Sequence, residues 1–155
     1  MHLIGNMMYL WIFGNNIEDV MGHVKFIIFY TLCGILAALS HAVIDTGSPV
    51  PMVGASGAIS GVLGAYLLLY PHARVLVLIP FIFLQVIYVR AGIVLGLWFA
   101  MQLLSSGMSI GQHGGGVAFF AHIGGFVAGM ALIPFFKHSH VRFFNRAHSD
   151  SRSWH

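Results

Sequence analysis

Apolar residues run along this chain in long unbroken blocks separated by short polar stretches, instead of recurring with the period of an amphipathic helix or strand. The blocks fall near residues 1–14, 24–44, 56–70, 91–106 and 118–136. A helix that is apolar all round must sit in other apolar material, either a large core or lipid. About twenty residues are needed to cross the roughly 30 Å hydrocarbon layer. The second block meets that length and several others fall short of it. The block at 56–70 is therefore predicted to start inside the membrane, from a loop that protein must shield because unpaired backbone groups are not tolerated against lipid. Residues 71–90 are also largely apolar but carry Pro71, Arg74, Pro80 and Arg90. That mixture fits an interfacial loop or hairpin better than a further span.

Composition agrees with the blocks. Of 155 residues, 58% are hydrophobic and 7% charged, which excludes an ordinary soluble domain. The apolar blocks are too numerous for a signal peptide ahead of a soluble domain. The predicted fold class is an all-α, polytopic membrane helix bundle over residues 1–136, followed by a basic tail at 137–155. A formal charge of +3 would suit nucleic acid if it were spread over a surface. Four of the seven Lys and Arg residues instead lie beyond the last apolar block, so a cytoplasmic tail is expected and no nucleic-acid partner. Cys33, alone in an apolar run, reads as a small buried hydrophobe. Ten histidines raise the thought of metal transport. However, His138, His140, His148 and His155 are in the tail and no His-x-x-x-His or Cys pair lies in a membrane block. No metal or other cofactor is expected.

Orientation follows from where the basic residues fall when the blocks are walked alternately across the membrane. With residue 1 outside, Lys25, Arg74, Arg90, Lys137, Arg142, Arg146 and Arg152 are all inside. Each helical residue advances about 1.5 Å, so the polar residues within blocks acquire depths. His2, Asn6, Ser56 and His122 then gather in the outer half. Polar side chains within a membrane are functional candidates by default, although many serve only as interhelical hydrogen bonds.

Local sequence favours chemistry. In Gly54-Ala55-Ser56-Gly57, small residues frame a serine where a loop should turn into a helix, leaving its hydroxyl open and nearby backbone N–H groups without intrahelical partners. In Ala121-His122-Ile123-Gly124-Gly125-Phe126-Val127-Ala128-Gly129, Ala121, Gly125 and Gly129 recur every four residues. That face can pack against a second small-residue ridge such as Gly57 and Gly61, which would carry His122 to Ser56. A neutral imidazole there could take the hydroxyl proton and return it to a leaving amine. His2 and Asn6, one turn apart, suit anion stabilisation. No carboxylate shares this depth, with Glu18 and Asp19 inside, Asp150 in the tail and Asp45 in an outer loop, so a dyad is expected and not a triad.

His2-x-x-x-Asn6, Gly54-Ala55-Ser56-Gly57 and Ala121-His122-x-x-Gly125-x-x-x-Gly129, in this order, resemble the rhomboid family of intramembrane serine proteases. The resemblance runs from His2 to about Phe136. It implies a six-helix core of which five helices are present here, the chain opening within the counterpart of the second, so that a truncated member is expected. It further implies Ser56 and His122 as the catalytic dyad, with the Ser56 N–H, His2 and Asn6 forming the oxyanion hole. Some members carry an aromatic residue four positions after the nucleophile, packed on the imidazole; Ser60 stands there, so Phe119 or Phe120 is expected to orient His122 instead.

The expected function is that of a serine endopeptidase cleaving transmembrane segments of other membrane proteins. Its surroundings would be membrane lipid, in a bacterial inner membrane, with the C-terminus cytoplasmic. Glycine-rich residues 107–116, including Gly114-Gly115-Gly116, would form a loop able to move and admit substrate. A catalytically inactive family member that only binds transmembrane segments is the alternative.

Overall fold

The computed structural model describes residues 2–44, 55–79, 85–109 and 119–145. Asp45, Gly54, Pro80, the Gly114–Gly116 run, Arg146, His148, Asp150, Arg152 and His155 lie outside the described residues. Helix α1 (His2–Tyr9) continues through a π-helical turn (Leu10–Gly14) into α2 (Asn15–Asp19). Then come α3 (His23–Ile44), α4 (Ser56–Leu69), strands β1 (Arg74–Ile79) and β2 (Gln85–Arg90), α5 (Ala91–Ser109) and α6 (Phe119–Phe136).

The first helical run passes the expected end at residue 14 and reaches Asp19. Asn15, Asn16, Glu18 and Asp19 are polar but do not break a helix, and Asn16 Nδ2 donates back to the Ile12 carbonyl at 3.2 Å. The run stops at Gly22, whose φ of 84° lies in the left-handed region. Its N–H donates to the Glu18 carbonyl at 2.6 Å, as a C-terminal glycine cap does. The side chains of Glu18 and His23 pair across this turn.

Within residues 71–90, whose mixed composition suggests an interfacial loop or hairpin, Arg74–Ile79 and Gln85–Arg90 pair as the two arms of a hairpin. β1 and β2 are antiparallel, with Arg74 opposite Arg90 and Val75 opposite Val89. Its base is clamped to the start of α5, because Ala91 N–H donates to the Ala73 carbonyl at 2.7 Å and Gly92 N–H to the Pro71 carbonyl at 2.8 Å.

The bundle is organised around α4. At 14 residues this helix is only about 21 Å long, yet every residue from Gly57 to Tyr66, and Leu69, is buried. Its neighbours α3 and α6 pack along it and on each other. The opposite faces are apolar and uncovered: Ile27, Ile35, Leu39 and Val43 on α3, and Ile93, Leu97, Met101 and Leu104 on α5, are exposed. An apolar surface on this scale is suited to lipid. Among the described residues two helices, His23–Val43 and Phe119–Phe136, are long and apolar enough to cross a membrane.

Beyond α6, residues 137–145 turn back onto the bundle. His138 N–H donates to the Val20 carbonyl at 2.8 Å. Phe144 and Asn145 N–H donate to the carbonyls of Leu68 and Leu69, at 2.9 and 2.8 Å, capping the end of α4. Val141 and Phe143 pack against the core. Lys137 Nζ donates to the Val141 carbonyl at 2.7 Å and stands 4.9 Å over the Phe143 ring.

Candidate active site

Close approach of α4 and α6 is what positions the site. The two small-residue ridges interlock backbone to backbone: a Cβ placed on Gly125 would strike the Gly57 carbonyl, one on Gly129 the Gly61 carbonyl, and one on Gly64 the Phe126 carbonyl. On the third side, a Cβ on Gly57 would come within 2.8 Å of the Ala37 methyl of α3. These contacts leave α4 no freedom to rotate or slide against α6. Because Ala121 faces Gly57 across the same ridge, the next residue, His122, is delivered to the first residue of α4.

His122 Nε2 lies 2.9 Å from Ser56 Oγ, a hydrogen-bonding distance bridging residues 66 apart in sequence. Both side chains are half-buried. Ser56 opens α4 behind Ala55, with no side-chain cap at that helix end. The first-turn N–H groups beside the hydroxyl therefore point out of the helix without intrahelical acceptors. The Ser56 carbonyl is engaged inward: Ser60 Oγ donates to it at 2.7 Å, and Ser60 is almost fully buried. Ser60 thus completes its bonding within α4.

The far side of the imidazole differs from expectation. His122 Nδ1 is 3.0 Å from Gln102 Oε1 on α5. The Trp98 ring, one turn earlier on α5, lies 5.9 Å from the His122 ring at 41°. Among the described residues these two groups, and not Phe119 or Phe120, hold the ring. Packing explains why: Trp98 and Phe99 both rest on Phe126, with centroids 6.0 and 4.4 Å away. Phe126 is one turn along α6 from His122, so α5 is keyed to α6 at two successive turns. Gln102 carries a signal visible in sequence, a polar side chain inside an apolar block at the depth of the other candidates. Trp98 carries none, since an aromatic residue in an apolar helix is ordinary.

Asn6 is half-buried on α1, which packs beside α4. His2 begins α1, but its side chain lies outside the described residues. An open cleft between the first helical run and α3, lined by Met7, Trp11, Glu18 and Phe26 among others, includes neither Ser56 nor His122. Among the described residues no cluster of His, Cys, Asp or Glu could hold a metal ion, and Cys33 is free and buried.

Residues 1–139 match the family model of the rhomboid domain. The chain is 32% identical over 139 residues to the human "Presenilin-associated rhomboid-like protein, mitochondrial", covering 86% of this chain and 34% of that protein. It is 32% identical over 131 residues to "Rhomboid protease GluP" of Bacillus subtilis, covering 84% of this chain and 23% of that protein. Over 82 residues it is 37% identical to "Rhomboid protein 1, mitochondrial" of Saccharomyces cerevisiae, covering 50% of this chain and 24% of that protein. The chain thus spans a third or less of the length of these relatives. No solved structure matches it. With the rhomboid domain matched along nine-tenths of its length and relatives above 30% identity in two domains of life, the chain belongs to the rhomboid family and, with it, to the integral membrane proteins.

Proposed function

We propose that this chain is an intramembrane serine endopeptidase acting through a Ser56–His122 dyad. One observation carries the reading: the 2.9 Å contact between Ser56 Oγ and His122 Nε2 at the open end of a buried helix. Oγ attacks the carbonyl carbon of a substrate peptide bond while Nε2 takes the hydroxyl proton. The tetrahedral intermediate collapses as Nε2–H gives that proton to the departing amine. Water then enters, Nε2 again accepts a proton, and the Ser56 ester is hydrolysed to a carboxylic acid.

The developing oxyanion is received by the Ser56 N–H, with Asn6 and His2 of the first helix as further donors. Substrates are transmembrane segments of other membrane proteins that can unwind, because an intact helix occupies its own carbonyls. The basic-residue asymmetry supports a dyad towards the outer face and a cytoplasmic C-terminus. The likeness to a Bacillus subtilis protease supports a bacterial cell membrane as the location.

A fluorophosphonate probe tests the dyad. Labelling of the protein in lipid nanodiscs is expected, and Ser56→Ala should abolish it with an unchanged thermal midpoint. Labelling that survives the substitution would sink the reading. Tight binding of a transmembrane segment without cleavage or labelling would instead identify an inactive, binding member.

A further inference from the structure

The contact on the far side of His122 has no place in a two-residue dyad. Gln102 Oε1 lies 3.0 Å from Nδ1, while Nε2 faces Ser56 Oγ at 2.9 Å. An amide oxygen can only accept, so this contact requires the proton on Nδ1. A neutral imidazole protonated there carries its lone pair on Nε2, which is the form that can take the serine proton. The opposite tautomer, with Nε2–H, would be a donor towards Ser56 and no base at all.

The contact is a built one. Trp98 and Gln102 are one turn apart on α5, as His122 and Phe126 are on α6. Trp98 touches the rings of both His122 and Phe126, while Phe99 stacks on Phe126 at 4.4 Å with planes 20° apart. Two turns of α5 thereby rest on two turns of α6, which brings Gln102 to Nδ1. Gln102 is half-buried and follows eleven apolar residues, 91–101, in α5. An amide in such surroundings is costly unless it is bonded.

We propose that Gln102 is a positioning residue for the reaction: its side-chain oxygen fixes the Nδ1–H tautomer and the ring orientation of His122, and holds Nδ1–H while the imidazole is positively charged during acyl transfer. No charge is supplied, only an oriented dipole, so the effect falls on the base and not on substrate binding. The inference rests on the proposed protease activity for its rate consequences. Its tautomer consequence can be read in an inactive protein as well.

The test uses nitrogen NMR of protein labelled with 15N-histidine in lipid nanodiscs, with the His122 signals assigned as those missing from His122→Ala, alongside cleavage of a model transmembrane substrate. The expected wild-type spectrum shows Nδ1 protonated and Nε2 bare. Gln102→Met, similar in length but without an amide oxygen, should move the proton towards Nε2. It should also lower kcat about 10- to 100-fold, part of the roughly 100- to 10,000-fold that a positioned general base contributes, with KM unchanged. Gln102→Glu, which keeps an oxygen acceptor at the same reach, should restore both the tautomer and most of kcat.

A wild-type proton on Nε2 overturns the proposal. So does a Gln102→Met protein whose tautomer or kcat stays as in the wild type, or a loss that Gln102→Glu does not rescue. If Gln102→Met fails to fold, the wild-type and Gln102→Glu spectra still decide. Failure of the dyad reading looks different: the wild type neither cleaves nor labels at Ser56, whatever the His122 tautomer.

Discussion

Two of the helices that meet α6 near the site, α4 and α5, do so in opposite ways. α4 meets it backbone to backbone along the ridge, glycine against carbonyl. α5 meets it through flat rings, Trp98 and Phe99 on Phe126, and through one amide on one imidazole. The first kind of contact is all or nothing, since an added methyl has nowhere to go. The second is graded, because rings can tilt and slide at modest cost. The nucleophile sits on the unyielding contact and the group behind the histidine on the adaptable one. Distance between Ser56 and His122 is thus set by steric exclusion, whereas imidazole orientation is set by softer forces.

That contrast can be broken by substitution. The largest effect is expected from Gly129→Val, whose Cβ would occupy the position of the Gly61 carbonyl. The helices must separate, and destabilisation above about 3 kcal/mol is expected, at or beyond the usual range for overpacking. Unfolding in graded detergent and loss of fluorophosphonate labelling measure it; a folded, labelling protein would show that the α4–α6 contact yields after all.

A smaller effect is expected on the other side. Phe99→Ala removes a stacked ring pair that contributes about 0.5–1.5 kcal/mol beyond simple burial. The thermal midpoint should fall by only a few degrees, while labelling of Ser56 slows about tenfold or less as α5 and Gln102 loosen. A midpoint loss as large as that of Gly129→Val would remove the distinction between the two contacts. The smallest effect is expected from Gly96→Ala on α5, where an added Cβ meets nothing within 4 Å. Stability should be unchanged or rise by up to about 1 kcal/mol from helix propensity, and a measurable loss would reveal a packing partner for that face.

The same contrast explains what could be read from sequence. Small residues at four-residue spacing announce a close helix contact wherever they occur, so the Gly57/Gly61 and Gly125/Gly129 ridges, and with them the meeting of Ser56 and His122, are legible in one dimension. Aromatic contacts leave no such periodic mark. Nothing in the order of residues indicates that Trp98 rests on His122 while Phe119 and Phe120 do not. Gln102 was visible in principle as an amide at the right depth. Its partner, however, depends on the rotation of α5, which is fixed by the rings and by the clamp of the hairpin base at Ala91 and Gly92. The first helical run outlasts its apolar block for another reason: Asn15 and Asn16 are polar without breaking a helix, and only the left-handed turn at Gly22 stops it.

The caps that Phe144 and Asn145 place on the end of α4 bear on how this protein is made. During synthesis the helix that opens with Ser56 leaves the ribosome long before residue 145 does. At the pace of translation, roughly 5–20 residues per second, the Leu68 and Leu69 carbonyls wait for several seconds without these final partners. Closure of the central helix accordingly lags its formation by about seventy-five residues of synthesis, and it falls to residues that lie outside the helices themselves.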